Sequence, residues 1–313
     1  MYLYLCETSN PRFSHHLHYL IGKTLSERYT NWRLHPINSE KDANGLTYSK
    51  KDIELVVCSS RVKGYAASIA FLSGLTCPKI LFQDDCMGAH WWVGLGRLGI
   101  THIVGTCLYP FPRWEHNYKK YWTGIPASTP CKWICHGVHP YKDVGQTPWI
   151  HRRSKILWPT RFGPHLRYPY RKRWVDAIGP THSQIEFLSG DVYGNNFMAK
   201  LSTYKAVLVV IPYTKYVVLK IFETLAAGSL LLVGFTQSHP KRAFDRMAMQ
   251  ALGLVSGIHY LEVTLGQLLA CPSKVLDKGH QRIAEEGHKL FLSRHSLNHR
   301  IKEFMDFIGL SDP

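Results

Sequence analysis

Three observations predict an α/β protein built from two doubly wound lobes. Short apolar runs alternate with helix-periodic stretches along most of the chain, the rhythm of parallel sheets covered by helices on both faces. At 313 residues the chain is too long for one ordinary core and suits two domains of roughly 150 residues each. Beyond "CKWICHGVHPYKD" the sequence turns basic and rich in proline and aromatics, which puts the boundary near residue 140 and gives lobes at 1–140 and 141–313.

In the first lobe, "YLYLCE", "IELVVCSS" (53–60), "KILFQDD" (79–85) and "THIVGTC" (101–107) read as strands. Helical periodicity falls between them, around 15–28, 62–74 and 111–122, and "INSEKDANGLTYSKKD" (37–52) reads as a loop insertion. In the second lobe the strands are "KILWPT" (155–160), "YKAVLVVIP" (204–212) and "GSLLLVGF" (228–235), with helices near 215–227 and 240–251. The last forty residues place Ile283, Gly287, Leu290 and Phe291, then Leu297, Ile301, Phe304 and Ile308, at helical spacing, so two amphipathic helices close the structure.

Composition bounds the function. No apolar stretch approaches the roughly 20 residues of a membrane span, and "MYLYLCETSNPR" has no basic and apolar leader pattern, so a cytoplasmic protein is expected. The eight cysteines lack paired C-x-x-C spacing, which predicts reduced, mostly buried thiols and no structural metal, the nearest pair being Cys131 and Cys135. The formal charge is +16, and residues 144–175 hold eight Arg or Lys and no Asp or Glu, interleaved with aromatics. Such a segment attracts polyanions: nucleic acid, an anionic membrane surface, or the diphosphate of a nucleotide donor.

In open parallel sheets ligands bind beyond the carboxyl ends of the strands. The residues there are Asn10, Arg12, Ser14, His15 and His16 after the first strand, Asp84 and Asp85 after the third, and Thr160 and Arg161 after the second lobe's first strand. In "KIFETLAAGSLLL" the helix buries Val217, Val218, Ile221 and Leu225, while Lys220 and Glu223 lie close together toward its other side and Gly228 ends it ahead of a core strand. Glu223 then either projects into a cleft, where a carboxylate accepts hydrogen bonds from vicinal hydroxyls such as those of a ribose, or forms an exposed i, i+3 pair with Lys220 of little consequence. Backbone amides near Lys215 suit phosphate oxygens. Asp84 and Asp85 read equally as turn or cap residues, His15 and His16 as a surface pair, and Arg171 to Arg173 as a solvated basic face. Trp91 and Trp92 line an acceptor groove or fill core.

"KIFETLAAGSLLL", "GIHYLEVTLGQLL" and "RIAEEGHKLFLSRHSLNHRI" together resemble the C-terminal domain of group 1 glycosyltransferases, in particular the spore-maturation (CgeB-like) branch. The matching positions are Lys220, Phe222, Glu223, Leu225, Ala226 and Gly228, then Gly257 and Tyr260, then Gly287, His295, Ser296 and Arg300; His136, Gly137 and Val138 match the interdomain linker. The resemblance covers roughly residues 130–308 and implies the GT-B fold, two Rossmann-like lobes facing a cleft. It also implies a nucleotide-sugar donor held mainly by the second lobe, with Glu223 on the donor ribose, and an acceptor approaching from the first. No metal is obligatory in that family, and no D-x-D occurs here. Retaining members often carry a second Glu eight residues earlier; this chain has Lys215 there, which leaves stereochemistry open and mildly favours inversion.

The expectation is a metal-independent glycosyltransferase needing no cofactor beyond its donor, acting on a glycan or glycoconjugate hydroxyl, with peripheral contact to an anionic membrane compatible with its charge. Inverting transfer needs a base, for which Asp85 or Asp84 stands first and His16 second, and cations for the leaving diphosphate, for which Arg161, Arg167 and Lys215 stand with Lys220. On the acceptor side are Ser14, His15 and Arg12; His295 and Arg300 are expected to be packing or cap residues. Two rivals are a basic nucleic-acid-binding protein and a non-catalytic scaffold of the same fold.

Overall fold

The computed structural model describes residues 1–8, 17–59, 66–83, 98–106, 126, 128–138, 147–160, 169–179, 182–188, 192, 194–211, 217–235 and 246–310. The chain divides into two compact units, Met1–His136 with Leu297–Pro313, and Gly137–Ser296.

The first unit is a six-stranded, all-parallel sheet of β1 (Tyr2–Cys6), β2 (Trp32–Pro36), β3 (Leu55–Ser59), β4 (Lys79–Gln83), β5 (His102–Gly105) and β6 (Cys131–Trp133), in the order β2-β1-β3-β4-β5-β6. Every residue of β3 and β4 is buried, because helices cover both faces, and that is why these strands read as unbroken apolar runs. On one face lies α1 (Leu17–Arg28), whose Gly22 touches the sheet: a Cβ there would stand 2.7 Å from the Tyr4 ring. On the other lie α2 (Glu40–Asn44) and α3 (Ala66–Ser73), through Ala43, Phe71 and Leu72.

Two features depart from the sequence reading. The insertion 37–52, expected as loop, contains α2, held by a capping box in which Asp42 N–H donates to Ser39 Oγ at 3.2 Å and Ser39 N–H donates to Asp42 Oδ2 at 3.0 Å. The final helix, assigned by sequence to the second lobe, belongs to the first unit. Its Leu297, Ile301, Phe304 and Met305 complete the core containing Tyr4, Ile21, Phe82 and Val104, with the Phe82 and Phe304 rings 6.0 Å apart.

At the carboxyl end of β4 the Gln83 carboxamide is buried, and neither its nitrogen nor its oxygen has a hydrogen-bond partner among the described residues. An orphaned buried polar group costs about 1–3 kcal/mol. Gln83→Met keeps the shape and removes that cost, so the melting temperature is expected to rise by roughly 2–4 °C per kcal/mol recovered; calorimetry showing a fall instead means that the carboxamide is satisfied by ordered water.

The second unit is a five-stranded, all-parallel sheet of β7 (Arg153–Trp158), β8 (Ile185–Phe187), β9 (Tyr204–Ile211), β10 (Leu230–Phe235) and β11 (Leu261–Val263), in the order β11-β10-β9-β7-β8. Its helices are α4 (Pro169–Ile178), α5 (Gly194–Ser202), α6 (Leu219–Ala226), α7 (Leu265–Ala270), α8 (Pro272–Val275) and α9 (Gln281–Leu290). A π turn at Phe291–His295 follows α9, and α10 (Leu297–Phe307) then returns to the first unit. Among the described residues, no helix is long and apolar enough to cross a membrane. The six described cysteines are unbridged; Cys6, Cys58 and Cys135 are buried, and burial pushes the Cys6 and Cys135 thiols up to about 12.

Candidate functional site

In the second sheet β7 lies between β8 and β9, so the strand order reverses beside β7, and the carboxyl ends of β7 and β9 flank the switch point where open α/β sheets bind ligands. Thr160 stands just past β7 and is buried, its N–H donating to Trp158 O at 2.7 Å. Arg171, in the first turn of α4, brings its guanidinium to 3.4 Å from Val210 O near the end of β9.

Helix α6 follows β9. Ile221, Phe222 and Leu225 are packed inward, while Thr224 Oγ1 donates back to Lys220 O at 2.7 Å. The helix ends at Gly228, whose φ of +64° is the left-handed conformation that favours glycine. Buried Arg152 clamps that end: Nη1 donates to Gly228 O at 2.7 Å, Ala227 O at 3.2 Å and Ser229 Oγ at 3.1 Å, and Nε donates to Thr147 O at 2.8 Å. Ser229 Oγ in turn lies 2.9 Å from Leu201 O and 3.0 Å from Tyr204 O, so the α6–β10 junction is held by hydrogen bonds on every side. Burial pulls the Arg152 guanidinium down to about 10, which leaves it cationic at neutral pH against the negative end of the helix.

Glu223 is only 4% exposed, so the solvated i, i+3 pair is not what this helix presents. The Lys220 ammonium sits 4.7 Å over the Phe197 ring. Burial lowers its pKa first; Glu223 opposes that shift and Arg171 adds to it. One carboxylate and two cations therefore share a field at the carboxyl side of the sheet, a charge set able to hold sugar hydroxyls and a diphosphate.

No family model matches the sequence, and no curated protein sequence is similar to it. Solved structures do match the fold over nearly the whole chain. Anabaena HepE in complex with UDP and glucose is 8% identical, with a TM-score of 0.63 over 98% of this chain and 99% of that one. The DNA-modifying enzyme β-glucosyltransferase is 13% identical, with a TM-score of 0.63 over 99% and 100%. An α-glucosyltransferase in complex with UDP-glucose and DNA is 9% identical, with a TM-score of 0.62 over 98% of each chain. The fold is that of the GT-B glycosyltransferases.

Of the residues that sequence reading placed in a GT-B site, Glu223, Lys220, Gly228 and Thr160 fall in the second unit as described above. Lys215, Arg161, Arg167, Asp84, Asp85, His16, His15, Ser14 and Arg12 lie outside the described residues, as do Asn10, Trp91 and Trp92. The described helix begins at Leu219 with Val218 as its N-cap, later than the start near Lys215 that the sequence suggested. Arg171 is a correction: it is half-buried beside Lys220, whereas Lys172, paired with Asp176 at 2.5 Å, and Arg173 form the solvated face. Nothing local in the sequence separates Arg171 from its neighbours, and nothing marks Arg152, whose acceptors at the end of α6 lie 75 to 77 residues away.

Of the remaining motif residues, Gly287 and His295 pack against α6. The His295 ring lies 5.3 Å from that of Phe222, with Nε2 2.9 Å from Leu252 O, and His288, outside the motif, places Nδ1 2.9 Å from Leu225 O. Arg300, in the first unit, is paired with Glu303 at 2.6 Å. At Gly287 α9 touches α6: a Cβ would stand 2.6 Å from His259 O and 2.8 Å from Leu225 Cδ2. Gly287→Ala is expected to cost about 1–3 kcal/mol, read as a lower melting temperature; an unchanged one would mean that α9 shifts freely.

Proposed function

We propose that this chain transfers a sugar from a uridine diphosphate sugar to a hydroxyl of a glycan or glycoconjugate, and that it does so without a metal or other cofactor. The observation that carries the reading is Glu223, a carboxylate withdrawn from solvent beside Lys220 and Arg171 at the switch point of the second sheet. Three solved structures of one relative in fold, Anabaena HepE, hold UDP with glucose, UDP-glucose, and UDP. The narrower kinship with the CgeB-like branch rests on the motifs of residues 130–308 alone.

In this reading Glu223 accepts hydrogen bonds from the donor ribose, and Lys220 and Arg171, joined by Lys215, Arg161 and Arg167, take the charge that builds on the diphosphate as its bond to the anomeric carbon breaks. The acceptor oxygen forms the new bond while Asp85, Asp84 or His16 takes its proton, a role that contributes about 10²- to 10⁴-fold. Lys215 at the position where retaining members often carry a second Glu favours inversion. Ser14, His15 and Arg12 serve the acceptor, and the basic excess suits an acceptor carried on an anionic surface. The direct test is release of free nucleotide from a panel of UDP, GDP, CMP and dTDP sugars: turnover of a UDP sugar supports the reading, and none from any donor favours a non-catalytic scaffold.

A pH dependence follows from Lys220. Its ammonium titrates below the ordinary 10.5, chiefly because burial disfavours the charged form, so the cation is present below that lowered value and is lost as pH rises through it. UDP affinity should fall on that limb, and Lys220→Arg should remove the fall. Titration calorimetry giving the same limb in Lys220→Arg would contradict a diphosphate role for Lys220.

A further inference from the structure

We infer that the amino-terminal edge of the second sheet is a docking surface for an anionic lipid bilayer, which goes beyond the donor-site reading and stands on different residues. The unit Gly137–Ser296 has 21 basic against 10 acidic residues, net +11 of the chain's +16, far more than a diphosphate requires. Part of that excess is gathered in one place. Arg153 and Lys155 at the start of β7 share the single carboxylate Glu186, at 3.0 and 2.5 Å. Lys200, near the end of α5, lies 5.5 Å over the Tyr204 ring, and Lys205 in β9 donates to Ser154 Oγ at 2.8 Å and lies 5.8 Å over the Trp149 ring. Glu186 is thus the one acid of the group: burial raises its pKa, but Lys155, the Tyr204 hydroxyl and Arg153 outweigh that and hold it below the usual carboxylate range, while Lys200 and Lys205 stand nearby over the Tyr204 and Trp149 rings.

From the same edge a 3-10 turn, Trp149–His151, carries Ile150 outward. Ile150 is 74% exposed, where the other exposed large hydrophobic residues among the described ones lie between 36% and 49%. An aliphatic tip beside a cluster of Lys and Arg is the pairing that enters the boundary between headgroups and acyl chains, with anionic headgroups attracting the cations. The pairing fits nucleic acid less well. Single strands bind by stacking bases on aromatic faces, and here Arg153 and Lys200 cover Tyr204 while Lys205 covers Trp149. Arg152, directly after the turn, ties this edge to the carboxyl end of α6, the helix that carries Glu223.

Co-sedimentation with vesicles tests this on the full chain. Binding is expected to vesicles of phosphatidylcholine with one third phosphatidylglycerol, weakening with salt, and not to phosphatidylcholine alone. Each cation near an anionic surface is worth about fivefold, so Lys200→Glu with Lys205→Glu should lose more than about 100-fold, and Ile150→Ser, at an exposed position that folding does not need, about tenfold. The thermal shift produced by UDP, a measure of the donor site, should be unchanged in both variants, so failure of the docking surface and failure of the donor reading are told apart. Equal binding to uncharged vesicles, wild-type binding by Ile150→Ser, or tighter binding of a single-stranded oligonucleotide that the lysine variants lose would overturn the inference.

Discussion

Glu223→Ala is expected to lower affinity for a UDP sugar by about 100-fold, because hydrogen bonds to a charged group are worth about 1.5–3 kcal/mol each and in the proposed function this carboxylate accepts from the vicinal hydroxyls of a ribose. The substitution also takes from Lys220 the charge that opposes its desolvation. Lys220 should therefore titrate still lower, and the loss of UDP binding with rising pH should begin at a lower pH. Glu223→Gln separates recognition from charge balance: the amide keeps the shape and one acceptor, and part of the affinity should survive. If Glu223 only balances Lys220, the melting temperature of Glu223→Ala falls while UDP affinity stays at the wild-type level.

Arg152→Met is expected to be among the most damaging single changes in the second unit. It removes a cation, 6% exposed, that three acceptors at the end of α6 share, and it leaves the carbonyls of Ala227 and Gly228 without that donor inside the fold. A loss of about 3 kcal/mol follows from hydrogen bonds to a charged group and the orphaned acceptors. Because α6 carries Glu223 and Lys220, UDP binding should weaken along with stability. Arg152→Lys, which keeps the charge but not the fork of donors, should recover only part of both. A melting curve for Arg152→Met superposable on the wild type would show that water replaces the guanidinium.

Much of this arrangement is legible in the sequence where one face of an element is dictated by burial. The runs "LVVCS" and "YKAVLVVI" announce strands covered on both sides, and Gly228 announces the end of the helix that feeds β10. Glu223 stood out as an acid amid a helix that buries its neighbours. What the sequence does not show is long-range: Arg152 reaching Gly228, Arg171 approaching Val210, and α10 returning to the first core through Phe304. Each depends on where distant segments meet, and no local spacing encodes that. The motif residues Gly287 and His295 are legible as a set, yet in the structure they serve close packing around α6.

Titration calorimetry of UDP into the wild-type chain tests the donor site most directly. Saturable one-to-one binding that Glu223→Ala weakens about 100-fold, with the variant still folded by its melting curve, is the result the proposed site at the switch point of the second sheet predicts. No heat with UDP or any UDP sugar, or equal binding by wild type and Glu223→Ala, would contradict it.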